Sequence, residues 1–371
     1  MATSFHPPQR VLMGPGPSDI HPRVLAAMAR PTIGHLDPEF IRMMDEMKHL
    51  LQYTFRTQNE MTFVISGPGS AGMEAAIVNM VEPGDAVVVC INGVFGGRMK
   101  SIVERCGGHP IVVEQEWGRA VDPEALEDTL KNHPEAKFVA FVHAETSTGA
   151  LSDARTLAEI AHRYNCLTIV DAVTSLGGSP LEVDAWQLDV VYSGSQKCLS
   201  APPGLSPITF SPAAVAHIQK RRSPVQSWFL DVTLLMQYWG GEQKRAYHHT
   251  APINTLYGLH EALVMLQEEG IENAWQRHRE MATLLQQELT AMGIDYFVPD
   301  KERIPQLNAV TIPPGADDAA VRKRLLQEYN LEIGAGLGPM AGKIWRIGLM
   351  GTSCNRDHVL YCTSALKAVL A

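Results

Sequence analysis

Short apolar runs alternate with stretches of helical periodicity along residues 62–192. The apolar runs are rich in β-branched residues and predict strands at residues 62–65, 86–89, 110–113, 138–142, 167–170 and 190–192. The amphipathic stretches between them predict helices at residues 71–81, 98–106, 123–131 and 154–164. Continuous apolar strands separated by helices are typical of a mostly parallel sheet covered on both faces. The pattern therefore predicts an α/β fold.

The pattern changes after Ser211. Two long helices are predicted at residues 255–269 and 271–292, and a smaller α+β portion follows, with strands at 309–312 and 344–347 and helices at 318–328 and 357–369. We place a domain boundary near residue 255. The predicted parts are an N-terminal arm rich in Pro and Gly, a large domain and a small C-terminal domain, at residues 1–20, 21–255 and 256–371.

Composition narrows the function classes. The chain has 371 residues, 45% of them hydrophobic and 19% charged, so bulk disorder is not expected. A net charge of −9 argues against a nucleic-acid surface, and the densest basic run, residues 220–222, is explained equally well by a solvated helix end. No apolar run approaches the roughly 20 residues that span a bilayer, and residues 1–8 lack a signal-peptide pattern. We expect a soluble cytoplasmic protein without membrane or nucleic-acid partners.

Six cysteines are spread along the chain without metal-binding spacing. No two of them form a CxxC pair, and no Cys/His spacing resembles a zinc site, so no metal is predicted. Several lie inside apolar runs, which favours buried free thiols in a reducing compartment.

Glycines and an aromatic residue follow the first two predicted strands. Residues 66–72, Ser-Gly-Pro-Gly-Ser-Ala-Gly, open into a helix, where backbone N–H groups and the helix dipole favour an anion. The segment lacks the lysine of a P-loop and the dinucleotide-binding spacing, so alone it is equally well a plain strand-to-helix turn. Phe95 follows the next strand and could cover a planar ring, although a core position is the simpler interpretation.

The later strands end at hydroxyls, an acid and a lysine. Residues 143–149 carry hydroxyl groups, Asp171 follows a buried strand, and Lys197 stands among small and apolar residues. A helix or turn cap would explain the acid, whereas lysine is rarely so placed unless it is paired or functional. Five features therefore follow the strands: a glycine turn, an aromatic ring, hydroxyl groups, an acid and a lysine. Pyridoxal phosphate requires all five in one site, because it has a phosphate, a flat ring, a phenolic oxygen, a pyridine nitrogen and an aldehyde.

Seven motifs together resemble the class V (fold type I) aminotransferases. The similarity is strongest to the alanine–glyoxylate, serine–pyruvate and ureidoglycine–glyoxylate branch and covers nearly the whole chain. The matching motifs are residues 14–18, 145–149, 170–173, 194–197, 201–204, 247–250 and 342–348. The resemblance implies the fold of type I PLP-dependent transferases, with a large mostly parallel sheet domain and a smaller C-terminal α+β domain.

The resemblance also implies contacts to the cofactor ring. Lys197 is expected to be the Schiff-base lysine and proton carrier, and Asp171 to pair with the pyridine nitrogen. Val173 and Phe95 are expected on opposite faces of the ring. Thr146 is expected to hydrogen-bond the ring substituents.

Phosphate and substrate contacts follow from the same resemblance. The expected phosphate ligands are Gly69, Ser70 and Gln196, joined by Tyr247 and Thr250 from the partner subunit of a homodimer. Pro68 departs from the family pattern and has no N–H to donate. For the substrate, Arg346 is expected to bind the α-carboxylate, and His35 and Tyr247 to line the side-chain wall.

The expected reaction is transfer of an amino group from alanine or serine to glyoxylate, giving glycine and a 2-oxo acid. The alternative is (S)-ureidoglycine as donor, although enzymes of that kind typically have Asn at the position of Tyr247 and Gln at that of His35. A cysteine desulfurase is disfavoured by Gln196, where that group usually has His, and by the absence of a flexible cysteine loop in the sequence. A non-catalytic regulator is disfavoured because Lys197 and Arg346 are both present.

Overall fold

The computed structural model of the chain describes residues 2–240 and 245–371. Residue 1 of the predicted arm and residues 241–244 of the predicted large domain lie outside the described residues. The strands in chain order are β1 (Val11–Leu12), β2 (Met61–Ile65), β3 (Ala86–Ile91), β4 (His109–Glu114), β5 (Ala136–Val142), β6 (Ala144–Glu145), β7 (Ala150–Leu151), β8 (Leu167–Asp171), β9 (Val190–Tyr192), β10 (Ser206–Phe210), β11 (Leu307–Thr311), β12 (Leu331–Glu332), β13 (Gly334–Ala335) and β14 (Ile344–Gly348). The α-helices are α1 (Pro22–Met28), α2 (Pro38–Phe55), α3 (Gly69–Met80), α4 (Val94–Arg105), α5 (Pro123–Asn132), α6 (Ala154–Arg163), α7 (Pro212–Gln219), α8 (Val232–Trp239), α9 (Ile253–Glu269), α10 (Ile271–Ala291), α11 (Asp318–Tyr329) and α12 (Arg356–Leu370).

A seven-stranded sheet forms the centre of the molecule, in the order β2-β10-β9-β8-β5-β3-β4. Every pairing is parallel except those of β10, which runs antiparallel to both β2 and β9. The predicted α/β fold with a mostly parallel sheet is therefore confirmed. Strand β8 shows the underlying pattern, because four of its five residues are buried and both of its neighbours run parallel to it.

The six predicted strands of this sheet correspond to β2, β3, β4, β5, β8 and β9. Strand β10 was not predicted, because its sequence begins Ser-Pro and lacks a clear apolar run. Its neighbours supply the missing signal, since all five of its residues are buried between β2 and β9. Helices α1, α2, α7 and α8 were not predicted either.

Apolar side chains form two main clusters. The larger one surrounds the central sheet, whereas the second packs α10, α11 and α12 against the three-stranded sheet β11-β14-β13. The boundary near residue 255 stays a prediction, and the packing shows that α9 contributes Leu256, Leu259 and Leu263 to the larger cluster. Near the N-terminus, β1 pairs in parallel with β12, and Met13 joins the second cluster. These contacts bring residues 11–13 against the C-terminal part of the chain.

All six cysteines are buried and free, as predicted. Within residues 2–240 and 245–371, no helix is both long enough and apolar enough to traverse a bilayer.

Candidate active site

The predicted site residues gather where strands of the central sheet end. Asp171 is the last residue of β8, Thr146 lies just beyond β5, and Lys197 follows β9. Gly69 begins α3 directly after the turn that leaves β2. Because these four strands run in the same direction, their carboxyl ends meet at one edge of the sheet, where ligands bind in open α/β folds.

Lys197 is buried beneath the loop of residues 14–18. Its Nζ donates a hydrogen bond to the carbonyl oxygen of Pro15. A Cβ atom added to Gly16 would lie 2.7 Å from Nζ, so only glycine leaves room for the amine. Burial lowers the pKa of Lys197 from 10.5 to about 8, and the positive charge of Arg346 acts in the same direction. The amine is therefore closer to its neutral, nucleophilic form than an exposed lysine would be.

Asp171 is held by two hydrogen-bond donors. Its Oδ1 accepts from the amide of Val173 at 2.9 Å, and its Oδ2 accepts from the hydroxyl of Tyr192 at 2.8 Å. Burial raises its pKa from 3.8 to about 6, while both donors act in the opposite direction by favouring the ionised form. The carboxylate is thus oriented by a backbone amide two residues further along the chain and by a side chain of β9.

The segment around Gly69 forms a narrow cradle. A Cβ atom on Gly69 would lie 3.1 Å from Val173 Cγ2 and 3.7 Å from Gly194 Cα, and one on Gly194 would lie 2.8 Å from Gln196 Oε1. Helix geometry leaves the amides of Gly69 and Ser70 without an intrahelical acceptor. The turn therefore presents backbone N–H donors and the N-terminus of α3 to a ligand bound beside Val173.

Arg98 connects two of the predicted site residues, although no role was predicted for it. Its Nη1 donates to Ser70 Oγ at 2.9 Å, and its guanidinium carbon lies 5.0 Å from the centroid of the Phe95 ring. The i,i+3 spacing of Phe95 and Arg98 on one helix is the signal that could have identified this contact.

Glu145 is the second residue that the sequence analysis left without a role of its own. Its carboxylate is fully buried and accepts the amide of Phe95 at 3.1 Å. Helix α4 begins at Val94 rather than at the predicted Arg98 because partners about 50 residues away satisfy its first amides. Motif position alone, next to Thr146, was the available signal.

Arg346 occupies the middle of β14 and reaches the same edge. Its Nε donates to the carbonyl of Ala335 at 2.7 Å, and its Nη1 donates to the carbonyl of Thr146 at 3.1 Å. Burial lowers the pKa of Arg346 to about 10, while the negative charge of Glu145 acts in the opposite direction. The side chain is therefore a fixed, buried cation within the group formed by Lys197, Asp171 and Glu145.

His35, Tyr247 and Thr250 form a second, more exposed group. The rings of His35 and Tyr247 are 5.1 Å apart, and Tyr247 Oη lies 3.4 Å from Thr250 Oγ1. Tyr247 is 60% exposed in the single chain. Between Tyr247 and Thr250, His249 hydrogen-bonds Ser66 at 2.6 Å, which attaches this segment to the turn that precedes Gly69.

Cys198 does not provide a nucleophile beside Lys197. Its Sγ is buried and lies 3.4 Å from the carbonyl of Thr174, and burial raises its pKa to about 12. A thiol that stays protonated at neutral pH is inert, which argues further against desulfurase chemistry.

Several known proteins are similar to this chain in both sequence and architecture. Residues 11–348 match the family described as aminotransferase class-V. The chain is 42% identical over 365 residues to the alanine–glyoxylate aminotransferase of Callithrix jacchus, covering 98% of this chain and 88% of the relative. It is 38% identical over 381 residues to the (S)-ureidoglycine–glyoxylate transaminase of Bacillus subtilis (strain 168), covering 98% and 91%. The crystal structure of an alanine–glyoxylate aminotransferase from Nostoc sp. superimposes with a TM-score of 0.98 at 45% identity, covering 100% of this chain and 98% of that one. These findings confirm the resemblance drawn from the motifs and the fold expected with it.

Proposed function

Since the chain belongs to the class V aminotransferases, which are PLP-dependent transaminases, we propose that it transfers the amino group of alanine or serine to glyoxylate. The products are glycine and a 2-oxo acid. The observation that best supports a transaminase site is the burial of three charged residues at one edge of the sheet, namely Lys197, Asp171 and Arg346. Similarity over 98% of the chain to an alanine–glyoxylate aminotransferase supports the choice of substrates.

The residues at this edge fit pyridoxal phosphate. Lys197 offers an amine for its aldehyde, Asp171 offers an anion for its ring nitrogen, and the Gly69 cradle offers backbone donors for its phosphate. Gln196 has a buried Oε1 without a hydrogen-bond partner in the described part of the chain, so its amide is free to turn toward the phosphate. When bound, the cofactor supplies an aldehyde that takes up the amino group and a protonated ring that withdraws electrons.

We assign the proton-handling roles to Lys197 and Asp171. Lys197 would hold the cofactor covalently through Nζ and, when that bond is open, would carry the substrate's α-proton on the same atom. The depressed pKa of about 8 supports this role, because a catalytic amine must exchange its proton near neutral pH. Asp171 keeps the proton on the ring nitrogen, and its two donors support the ionised form that this requires.

The remaining contacts orient ring, phosphate and substrate. Val173 and Phe95 would pack against the cofactor ring, and Thr146 would hydrogen-bond its substituents. Gly69, Ser70 and Gln196 would bind the phosphate. Arg346 binds the α-carboxylate, and its fixed, buried guanidinium supports a bidentate contact.

The proposed active unit is a cytoplasmic homodimer with composite sites. Tyr247 and Thr250 contact the phosphate bound by the partner subunit, and His35 with Tyr247 borders the substrate side chain. The 60% exposure of Tyr247 in the single chain leaves its ring accessible to a partner subunit, as this role requires. Buried free cysteines support a reducing compartment.

(S)-ureidoglycine is the second candidate donor, favoured by the 38% identity to the Bacillus subtilis transaminase. The ureido group needs amide partners, whereas this chain has Tyr247 and His35. A donor panel with glyoxylate tests the proposal, with glycine formation measured for alanine, serine and ureidoglycine at equal concentrations. We expect alanine or serine to give the higher kcat/KM, and Lys197→Ala to give no glycine from any donor. A clear preference for ureidoglycine would replace the proposal by the second candidate.

A further inference from the structure

Glu145 is a fully buried carboxylate whose partners are all hydrogen-bond donors. Its Oε1 accepts from the amide of Ser147 at 3.0 Å and from the Ser147 hydroxyl at 2.6 Å. Its Oε2 accepts from the amide of Phe95 at 3.1 Å. No proton is needed on the carboxyl group to complete this arrangement. Burial raises the pKa of Glu145, whereas the donors act in the opposite direction by favouring the ionised form.

These contacts determine how helix α4 begins. Ser147 Oγ accepts the amide of Val94 at 3.0 Å, so Ser147 and Glu145 together satisfy the first two amides of the helix. A Cβ atom on Gly93 would lie 2.5 Å from Glu145 Cδ, so the chain approaches the carboxylate more closely than any other residue would permit. The negative charge also complements the positive end of the helix dipole.

The first turn of α4 carries Phe95. Its backbone amide is bound by Glu145, and its ring packs against the guanidinium of Arg98. The position of the ring therefore depends on two anchors, one on the backbone and one on the side chain. The backbone anchor comes from the connection after β5, which also carries Thr146.

We propose that Glu145 is a positioning residue of this site, which fixes the first turn of α4 and thereby the Phe95 ring, the surface against which the cofactor ring stacks in the proposed function. It acts through Phe95, and its loss leaves the ring held by Arg98 alone.

Amide hydrogen exchange in the full-length protein tests the anchor without any turnover. Glu145→Gln replaces one acceptor oxygen by an N–H2 group that faces amide donors, so the amides of residues 94–96 should exchange about 10-fold faster or more, with or without cofactor. Glu159→Gln is the matched control, because Glu159 is an exposed residue of α6 paired with Arg155, and it should change nothing in α4. Unchanged protection of residues 94–96 in Glu145→Gln overturns the proposal.

The dissociation constant of pyridoxal phosphate tests the route through Phe95. Glu145→Gln should raise this dissociation constant about 3- to 10-fold in the otherwise wild-type protein. In the Phe95→Leu variant, the same substitution should raise it by less than a further factor of about 2. An equal loss in both backgrounds, or faster exchange with unchanged affinity, overturns the proposal. If both readouts behave as expected while no donor reacts with glyoxylate, the substrates of the proposed function are wrong and the role of Glu145 stands.

Ser147→Ala keeps the test available if Glu145→Gln does not fold. This variant retains the carboxylate but removes its 2.6 Å hydroxyl donor and the acceptor of the Val94 amide. It should accelerate exchange most at residue 94 and weaken cofactor binding in the same direction by a smaller factor. Slower or unchanged exchange at that amide contradicts the proposal.

Discussion

The hydroxyl of Tyr192 donates a 2.8 Å hydrogen bond to Oδ2 of Asp171, and neither residue is more than 2% exposed. The bond favours the ionised carboxylate, whereas burial opposes it and raises the pKa of Asp171 to about 6. Tyr192 lies at the end of β9, beside the last residue of β8. Two neighbouring parallel strands thus fix the place of this carboxylate, and the Tyr192 phenol offsets part of the effect of burial on its pKa.

Tyr192→Phe should move the acid limb of the kcat/KM profile to higher pH. Asp171 is ionised above its pKa of about 6 and protonated below it, so activity that needs the anion is lost as pH falls through that region. Removing the phenol removes a hydrogen bond to the charged form, which raises the pKa of Asp171 further, by about 1 unit. Rates measured with alanine and glyoxylate from about pH 5 to 9 check this. An acid limb that coincides in the two proteins contradicts it.

Asp171→Asn should retain cofactor binding but lose most activity, by about 10²- to 10⁴-fold in rate. The amide can still hydrogen-bond the ring nitrogen, but it cannot hold a proton there. The measurement is kcat for alanine alongside the cofactor content of the purified variant. Near-normal rates at full cofactor occupancy would remove Asp171 from the proposed mechanism.

The sequence predicted the parallel strands because burial on both faces leaves a local signature, as in residues 86–89 of β3. The start of helix α4 has no such local signature. Its first two amides are bound by Ser147 and Glu145, about 50 residues away, and no local pattern around Val94 reports those contacts. Strand β10 is similar, since its Ser-Pro start resembles a loop until β2 and β9 flank it.

The residues of the candidate site likewise fall into those that the sequence could reveal and those that it could not. Lys197 and Asp171 could be recognised because a lysine in an apolar segment and an acid at a strand end are unusual in themselves. Tyr192 and Arg98 could not, because their importance lies in contacts to Asp171 and Phe95 that exist only after folding.

Gly16→Ala should impair cofactor attachment to Lys197 more than it impairs folding. The new Cβ would lie 2.7 Å from Nζ, so the amine must move, and the φ angle of +107° adds backbone strain of about 1–3 kcal/mol. Gly84→Ala is the matched control, because its φ is +87° and nothing lies within 4 Å of the new Cβ. Borohydride reduction followed by mass spectrometry reports the fraction of Lys197 bound to cofactor. If the two variants carry equal fractions of cofactor-bound Lys197, crowding of Nζ does not impair cofactor attachment.

Hybrid dimers should recover activity that neither parent has. Lys197→Ala lacks the amine, and a Tyr247→Ala/Thr250→Ala chain lacks the proposed contacts to the partner's phosphate. A mixed dimer contains one site with neither defect, so random exchange should restore about a quarter of wild-type activity. Glycine formation is followed after the two proteins are mixed, and each parent alone is the control. A fully active monomer by light scattering, or mixtures no better than their parents, would rule out composite sites.

Tyr247→Asn should shift the donor ranking toward ureidoglycine. Arg346 fixes the α-carboxylate and Lys197 requires the α-proton near Nζ, so the donor side chain points toward the remaining wall, which we assign to His35 and Tyr247. Their rings are 5.1 Å apart, and the only polar atom that Tyr247 offers there is a hydroxyl, 3.4 Å from Thr250.

A buried ureido group without partners costs about 1–3 kcal/mol per unmet group, or roughly 10- to 100-fold in discrimination, whereas a methyl or hydroxymethyl group carries no such cost. Asparagine at position 247 supplies an amide that matches the ureido group, so kcat/KM for ureidoglycine should rise relative to that for alanine by a factor in this range. Tyr361→Asn, which replaces a half-exposed tyrosine of α12, is the control and should leave the ranking unchanged. If Tyr247→Asn also leaves the ranking unchanged, Tyr247 does not border the donor side chain, and the preference must be set elsewhere in the wall.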